Sequence, residues 1–221
     1  FIHRFGAVIT FLYFFLHLKD VFRRKRESKL KWKEMLTGED TLAPRLEDAK
    51  EFSQTVKWFL GKGPRPNYGR WTYFEKFDYL AVFWGVAIIG PSGLILWFPT
   101  FFTAIGMPGW LINIATIVHS DEALLAVGFI FTIHFFNTHF RPDKFPIDTV
   151  MFTGRMPLKE FRHERPREYD RLLESGQLND RLVDAPSPAL VKAARIFGFT
   201  ALGIGIFTII LIVYSVIIHF T

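Results

Sequence analysis

The stretch that decides the fold is IFGFTALGIGIFTIILIVYSVII, residues 196–218, which contains no charged side chain. An α-helix rises about 1.5 Å per residue and the hydrocarbon core of a bilayer is about 30 Å thick, so roughly 20 apolar residues can cross it. This stretch therefore predicts a transmembrane helix.

Three further apolar blocks lie at about residues 1–18, 79–101 and 110–139, and most Lys and Arg lie between the blocks. This distribution predicts an all-α integral membrane protein, a four-transmembrane-helix bundle that forms one domain over residues 1–221. The four spans are predicted at about 1–21, 75–101, 110–140 and 190–219, with an interfacial helix at about 46–60. Because the chain starts at Phe1 inside an apolar block, we expect preceding sequence to be missing.

The charges between the blocks predict the orientation. The stretch 19–70 contains 14 Lys and Arg and the stretch 141–192 contains ten, whereas residues 99–109 contain none. By the positive-inside rule both long loops are expected to be cytoplasmic. If the source is a bacterium, the expected location is the inner membrane, which the chain would cross several times with both long loops facing the cytoplasm. Basic residues beside membrane spans also contact anionic lipid, so they do not indicate nucleic-acid binding.

The chain of 221 residues contains no Cys and seven His, with a formal net charge of +6. The absence of Cys excludes disulfides, iron–sulfur clusters and covalently attached c-type haem within these residues. Any redox cofactor must therefore be held by His or Met.

Four of the His residues lie inside predicted spans at matching depths, His3 and His17 in the first block and His119 and His134 in the third. The first pair is separated by about 21 Å along a helix and the second by about 22 Å, and each pair returns to a similar face. We therefore expect His3 to face His119 near the outer side and His17 to face His134 near the cytoplasm. Such a box could hold the iron atoms of two haems.

Two further residues could contact the haems or compete with their ligands. His139 competes with His134 as an inner ligand, but it lies about 30 Å along the helix from His119 and roughly 160° around it, so it fits neither the depth nor the face. It could instead meet a propionate, a lipid headgroup or a quinone. Arg4, next to His3, could bind a haem propionate through its guanidinium.

Several motifs resemble the cytochrome b (gamma) subunit of respiratory formate dehydrogenases, and the related membrane subunits described as thiosulfate reductase cytochrome b. They cover most of residues 1–185: His3, Phe59-Leu60-Gly61-Lys62-Gly63-Pro64-Arg65-Pro66, Gly69-Arg70, Glu75-Lys76, Leu94-Ile95-Leu96-Trp97, His119, His134, Gly154-Arg155-Met156, His163-Glu164-Arg165-Pro166 and Tyr169.

The resemblance implies that His3 and His119 ligate the outer haem b. It implies that the position of His134, shifted by one residue, ligates the inner haem b. The second inner ligand of the family comes from an earlier helix, so either His17 replaces it or a preceding segment supplies it. The quinone site of the family uses an Asn and a Gly, which are Thr72 and Phe74 here.

We therefore expect an electron-transfer subunit that connects a menaquinone or ubiquinone pool with a periplasmic multihaem cytochrome c or iron–sulfur subunit. Candidates for the quinone site and its proton exchange are His139, Thr72, Glu75 and Lys76. The chain would perform no bond chemistry beyond quinone oxidation or reduction. The alternatives are a haem-free proton-conducting membrane protein and a structural membrane anchor of a respiratory complex.

Overall fold

The computed structural model describes residues 1–141, 144–145 and 147–220, with residues 219 and 220 described by their backbone alone. All regular secondary structure in this part of the chain is helical, which confirms the all-α class. Four helices there are long and apolar enough to cross a membrane: Ile2–Ser28, Tyr73–Trp97, Trp110–Phe140 and Pro188–Ile218. The chain is thus a multi-pass membrane protein by length and composition.

The helices are numbered in chain order. They are α1 (Ile2–Ser28), α2 (Trp32–Thr37), α3 (Leu46–Phe59), α4 (Tyr73–Trp97), α5 (Pro99–Ala104), α6 (Trp110–Phe129), α7 (Val150–Thr153), α8 (Leu158–Glu164), α9 (Pro166–Glu174) and α10 (Pro188–Phe220). A 3₁₀ turn occupies Asn179–Arg181. The chain divides into two compact units, Phe1–Leu125 with Arg165–Glu168 and Ala126–Glu164 with Tyr169–Thr221.

The second span ends four residues earlier than predicted, at Trp97 instead of residue 101. Pro99 disfavours helical geometry at the residue before it. Phe98 accordingly leaves the α region, with φ −125° and ψ 53°, and α4 ends at Trp97. Pro99 then begins the separate helix α5, where its missing N–H costs nothing. Pro91 lies within α4, and the helix continues through it.

The third span changes its helical type towards its C-terminal end. After α6 the chain forms two π-helical turns, Ile130–His134 and Phe136–Phe140. A π-helix closes i→i+5 hydrogen bonds and therefore has more residues per turn than an α-helix, and such turns are frequent at functional sites. Side chains in these turns do not follow α-helical spacing.

In the first unit, α3 buries its polar face. Glu51 and Thr55 are buried, whereas Phe52 and Phe59 on the predicted apolar face are more than half exposed. The Tyr68 and Thr55 hydroxyls are 2.7 Å apart, and burial raises the pKa of Tyr68. The exposed apolar face is typical of a helix that lies on a membrane surface.

In the second unit, two glycines of α10 allow close packing. A Cβ at Gly198 would collide with Ile147, and one at Gly205 would lie 2.9 Å from Phe131. Outside the span, Lys144 donates to Glu160 and Glu164. Burial disfavours the Lys144 cation, but these carboxylates outweigh it and raise its pKa.

Candidate functional site

The first unit brings two of the predicted ligands together. The imidazole rings of His3 on α1 and His119 on α6 have centroids 5.9 Å apart, at an interplanar angle of 81°. Metal–imidazole bonds are about 2 Å long, so two imidazoles that share one metal ion have ring centres roughly 6 Å apart. The pair that the sequence places near the outer side therefore has the separation that a shared iron atom requires.

The His119 ring is held by α4. Its Nδ1 lies 3.2 Å from the carbonyl oxygen of Ile89 and 3.1 Å from the hydroxyl of Ser92. Because a carbonyl oxygen only accepts, this arrangement requires Nδ1 to carry the proton, and it leaves Nε2 with its lone pair. A hydrogen bond from the second ring nitrogen is the usual support of a metal-binding His.

A glycine makes room for this ring. A Cβ at Gly93 would lie 2.9 Å from Cε1 of His119, closer than such contacts allow, and a Cβ at Gly90 would lie 3.1 Å from Phe11 of α1. This role of Gly93 is not among the predictions made from the sequence. The small residues of Gly90-Pro91-Ser92-Gly93 were the available signal, because small side chains permit close helix contacts in membranes.

Two His ligands are enough for a haem iron but not for a typical metal site built from protein ligands alone. Among the described residues, no group of three or more His, Asp or Glu side chains could hold a metal ion. A haem iron needs only two ligands from protein, because the porphyrin supplies the others. The neighbouring imidazoles of His3 and His119 provide two such ligands, with His119 held through Nδ1 so that Nε2 keeps its lone pair.

The predicted inner ligands have different surroundings. The Nε2 of His17 lies 2.9 Å from the hydroxyl of Tyr79, and Phe83 packs edge-on against the His17 ring, with centroids 5.9 Å apart. His17 belongs to the first unit and His134 to the second, so their pairing stays a prediction. An iron atom bound through Nε2 of His17 would have to displace the Tyr79 hydroxyl.

The π-helical turns change the argument about the competing ligand. His134 ends the first turn and His139 lies in the second, so the rotation calculated for an α-helix from His119 does not apply to either of them. His139 is 9 % exposed, and its Nδ1 has no hydrogen-bond partner in the described part of the chain. The role of His139 in quinone binding stays a prediction.

The other predicted quinone residues have structural partners. Thr72 is fully buried and caps α4, with its hydroxyl accepting from the Glu75 N–H, while the Glu75 carboxylate accepts from the Thr72 N–H at 2.8 Å. Glu75 also accepts from Arg165 at 2.6 Å. Lys76 is buried and donates to Asp48 at 2.8 Å. The Thr72-x-x-Glu75 spacing is a capping box that the sequence alone displays.

One buried carboxylate was not predicted. Glu51 of α3 is 4 % exposed and accepts from Arg167 at 2.9 Å, while its Oε2 has no hydrogen-bond partner among the described residues. Burial raises the pKa of Glu51, and the positive charge of Arg167 opposes the rise. No periodic pattern marks this position, because a Glu on an amphipathic helix is normally expected at its solvated face.

Arg4 and one acidic residue inside a predicted span each contact a tryptophan. The guanidinium of Arg4, predicted to bind a propionate, lies 5.3 Å from the ring centroid of Trp97. Glu122, an acid inside a predicted span, accepts from the indole N–H of Trp84 at 2.6 Å. Both contacts place a charged group beside an aromatic ring in the first unit.

Comparisons with protein-family models, with characterised proteins and with solved structures find no match to this chain.

Proposed function

We propose that this chain is a transmembrane electron-transfer subunit that binds two b-type haems. It would connect a menaquinone or ubiquinone pool with a periplasmic redox partner, such as a multihaem cytochrome c or an iron–sulfur subunit. The observation that carries the proposal is the approach of His3 and His119, whose ring centroids are 5.9 Å apart in a membrane-spanning protein without Cys. The resemblance of the motifs to formate dehydrogenase gamma subunits supports the assignment of b-type haem and quinone as the redox groups.

At the outer site, His3 and His119 would hold the haem iron. Ser92 and the Ile89 carbonyl orient His119 through Nδ1, and Gly93 leaves room for the ring. When bound, haem supplies one-electron transfer. The residues of α4 would thus set the position and the electron donation of one axial ligand, as partners of a metal-bound His generally do.

At the inner site, His134 would supply one ligand, with His17 or a residue outside this chain supplying the other. Oxidation of a quinol releases two electrons and two protons, and reduction of a quinone takes up the same, so a quinone site also needs groups that exchange protons. His139, Glu75 and Lys76 are the candidates for this role, and Thr72 is the fourth residue assigned to the quinone site. The orientation that goes with this assignment has both long loops in the cytoplasm, following the Lys and Arg distribution.

The experiment is a pyridine haemochrome count with a reduced-minus-oxidised spectrum of the purified full chain. Wild type is expected to bind two non-covalent b haems per chain. His3→Ala and His119→Ala are each expected to lose one haem. His163→Ala is the matched control, because His163 lies on the exposed side of α8, outside every membrane span.

Retention of two haems with unchanged spectra in both His3→Ala and His119→Ala would overturn the assignment of the outer ligands. A count of zero in wild type would overturn the electron-transfer function. The chain would then be a haem-free proton-conducting protein or a structural anchor, and proton flux into vesicles would distinguish these two.

A further inference from the structure

The last turns of α1 have two chemically different faces. At about 100° per residue, Lys25 and Arg26 lie within roughly 60° of the direction of Phe22, and Lys29 follows directly after Ser28, the last helical residue. Asp20, Arg23, Arg24 and Glu27 lie on the opposite side of the helix. We call the first set of cations, Lys25, Arg26 and Lys29, the basic face.

The opposite side balances its own charge. The Asp20 carboxylate accepts from Arg23 and, at 2.7 Å, from Arg24. Two cations and two acids share that side. On the basic face, by contrast, neither Arg26 nor Lys29 has an ion-pair partner within the described residues. In the run Arg23-Arg24-Lys25-Arg26, the first two cations therefore lie on a side without net charge. The last two belong to the basic face, which carries a net positive charge.

The chain then turns back so that aromatic rings border the basic face. Lys29 adopts a left-handed conformation, φ 56°, and α2 begins shortly afterwards with Trp32. The Trp32 ring packs edge-on against Phe22 at 5.9 Å, and the Lys25 Nζ lies 5.5 Å from its centroid. Phe22 is 60 % exposed and Trp32 is 46 % exposed.

The composition of α1 puts this region at the membrane surface. Its apolar run ends at Leu18, and Lys19, Asp20 and the run Arg23-Arg24-Lys25-Arg26 follow, as expected where a span leaves the hydrocarbon core. Phe22 and Trp32 then lie where the hydrocarbon meets the headgroups, the depth at which Trp is enriched. The basic face lies just beyond it, at the depth of lipid phosphates.

We propose that the basic face and the Phe22–Trp32 pair form a binding site for an anionic phospholipid. Lys25, Arg26 and Lys29 bind the phosphate and its negative charge, and the two exposed rings lie among the first methylenes of the acyl chains. The occupant is a lipid because apolar rings and unbalanced cations follow each other at the end of a membrane span. The site does not depend on haem binding.

The test is a titration of the delipidated full chain in neutral detergent with dioleoyl phosphatidylglycerol, followed by native mass spectrometry. Dioleoyl phosphatidylcholine is the comparison lipid, since it has the same chains and no net charge. Lys25→Gln/Arg26→Gln is expected to weaken phosphatidylglycerol binding about fivefold for each charge removed. Binding of phosphatidylcholine is expected to stay unchanged.

Arg23→Gln/Arg24→Gln is the matched control, because it removes the same net charge from the adjacent positions. It is expected to keep most of the preference for phosphatidylglycerol. Equal loss in the two double variants would show that net charge alone attracts the lipid, and a wild type that binds both lipids equally would also overturn the site. Melting of the helical circular dichroism signal checks that each variant is folded.

The aromatic half of the site has its own readout. Phosphatidylglycerol with brominated acyl chains quenches the fluorescence of a Trp that it contacts. At one lipid per chain, Trp32→Phe is expected to remove the quenched component. Quenching that persists in Trp32→Phe would place the lipid elsewhere.

Discussion

The Nδ1 of His119 and the hydroxyl of Ser92 lie 3.1 Å apart, joining α6 to α4 at the level of Gly93. The same hydroxyl lies 2.7 Å from the Ile88 carbonyl oxygen, so it donates within its own helix and offers a lone pair to the imidazole. This contact fixes the orientation of the ring from the side opposite to the nitrogen that remains free.

Ser92→Ala tests that support. The Ile89 carbonyl still accepts from Nδ1, so the outer haem is expected to remain, with its affinity reduced about tenfold. A haem titration of the apoprotein followed at the Soret band measures the change. Ser120→Ala, on the exposed side of α6, is the control. Unchanged affinity in Ser92→Ala would mean that the carbonyl alone orients His119.

Gly93→Ala tests the space around His119. The added Cβ would lie 2.9 Å from the ring. Overpacking of this kind is expected to cost about 1–3 kcal/mol and to lower the outer haem content. Gly85→Ala is the control in the same helix, since a Cβ there has no atom within 4 Å. Haem counts and melting temperatures report both effects. Equal behaviour of the two variants would contradict a steric role of Gly93.

Tyr79→Phe tests the inner site. The Tyr79 hydroxyl lies within hydrogen-bonding distance of the His17 Nε2, at 2.9 Å, so it competes with iron for the lone pair of that nitrogen. If His17 is a ligand, Tyr79→Phe keeps two haems and binds the inner one more tightly, while His17→Ala keeps only one. Tyr214→Phe, with an exposed side chain, is the control. Two haems in His17→Ala would assign the inner ligand to another residue.

The pair of buried Lys76 and partly buried Asp48 is expected to stabilise the docking of α3. Lys76→Met removes the cation, and the cost is expected to stay below the roughly 3–5 kcal/mol of a fully buried pair, because the Asp48 side chain is 13 % exposed and still accepts from the Arg45 N–H. Removing both charges in Lys76→Met/Asp48→Asn is expected to cost less than the sum of the single changes. A double-mutant cycle of unfolding in detergent measures this coupling. The solvent-exposed pair Asp20–Arg24 is the control, and it should show almost no coupling in the same assay because water screens its charges.

Glu51 is expected to make stability depend on pH. Burial raises its pKa in the folded chain above the ordinary value of 4.5, so the folded state binds the proton more tightly than the unfolded state. The contribution of Glu51 to the free energy of unfolding is therefore favourable below the ordinary pKa and is lost as the pH rises through the folded pKa. Glu51→Gln is expected to reduce this decline.

Melting temperatures measured from about pH 4.5 to about pH 8 test that prediction. Glu47→Gln is the control, because Glu47 lies in the same helix with its side chain half exposed. A decline of the same slope in wild type and Glu51→Gln would show that other groups cause it.

The class of the protein and the approximate positions of its spans could be predicted from the amino-acid sequence. Uncharged runs such as 196–218 are long enough to cross a bilayer, and a helix satisfies every backbone group of such a run within the run itself. The matching membrane depths of His3 and His119 could also be predicted, since the rise per residue of an α-helix gives the depth of each side chain in its span. The end of α4 could have been placed at Trp97, because Pro99 restricts the residue before it.

The tertiary structure alone decided what each of these side chains contacts. Ser92 and Gly93 of α4 meet His119 of α6, and Tyr79 of α4 reaches His17 of α1, which no local pattern encodes. The π-helical turns around His134 could not be predicted from the sequence either, because a wider helical turn does not change the hydropathy of the segment. Periodicity reports which positions share a face, whereas hydrogen-bond partners depend on how the helices pack.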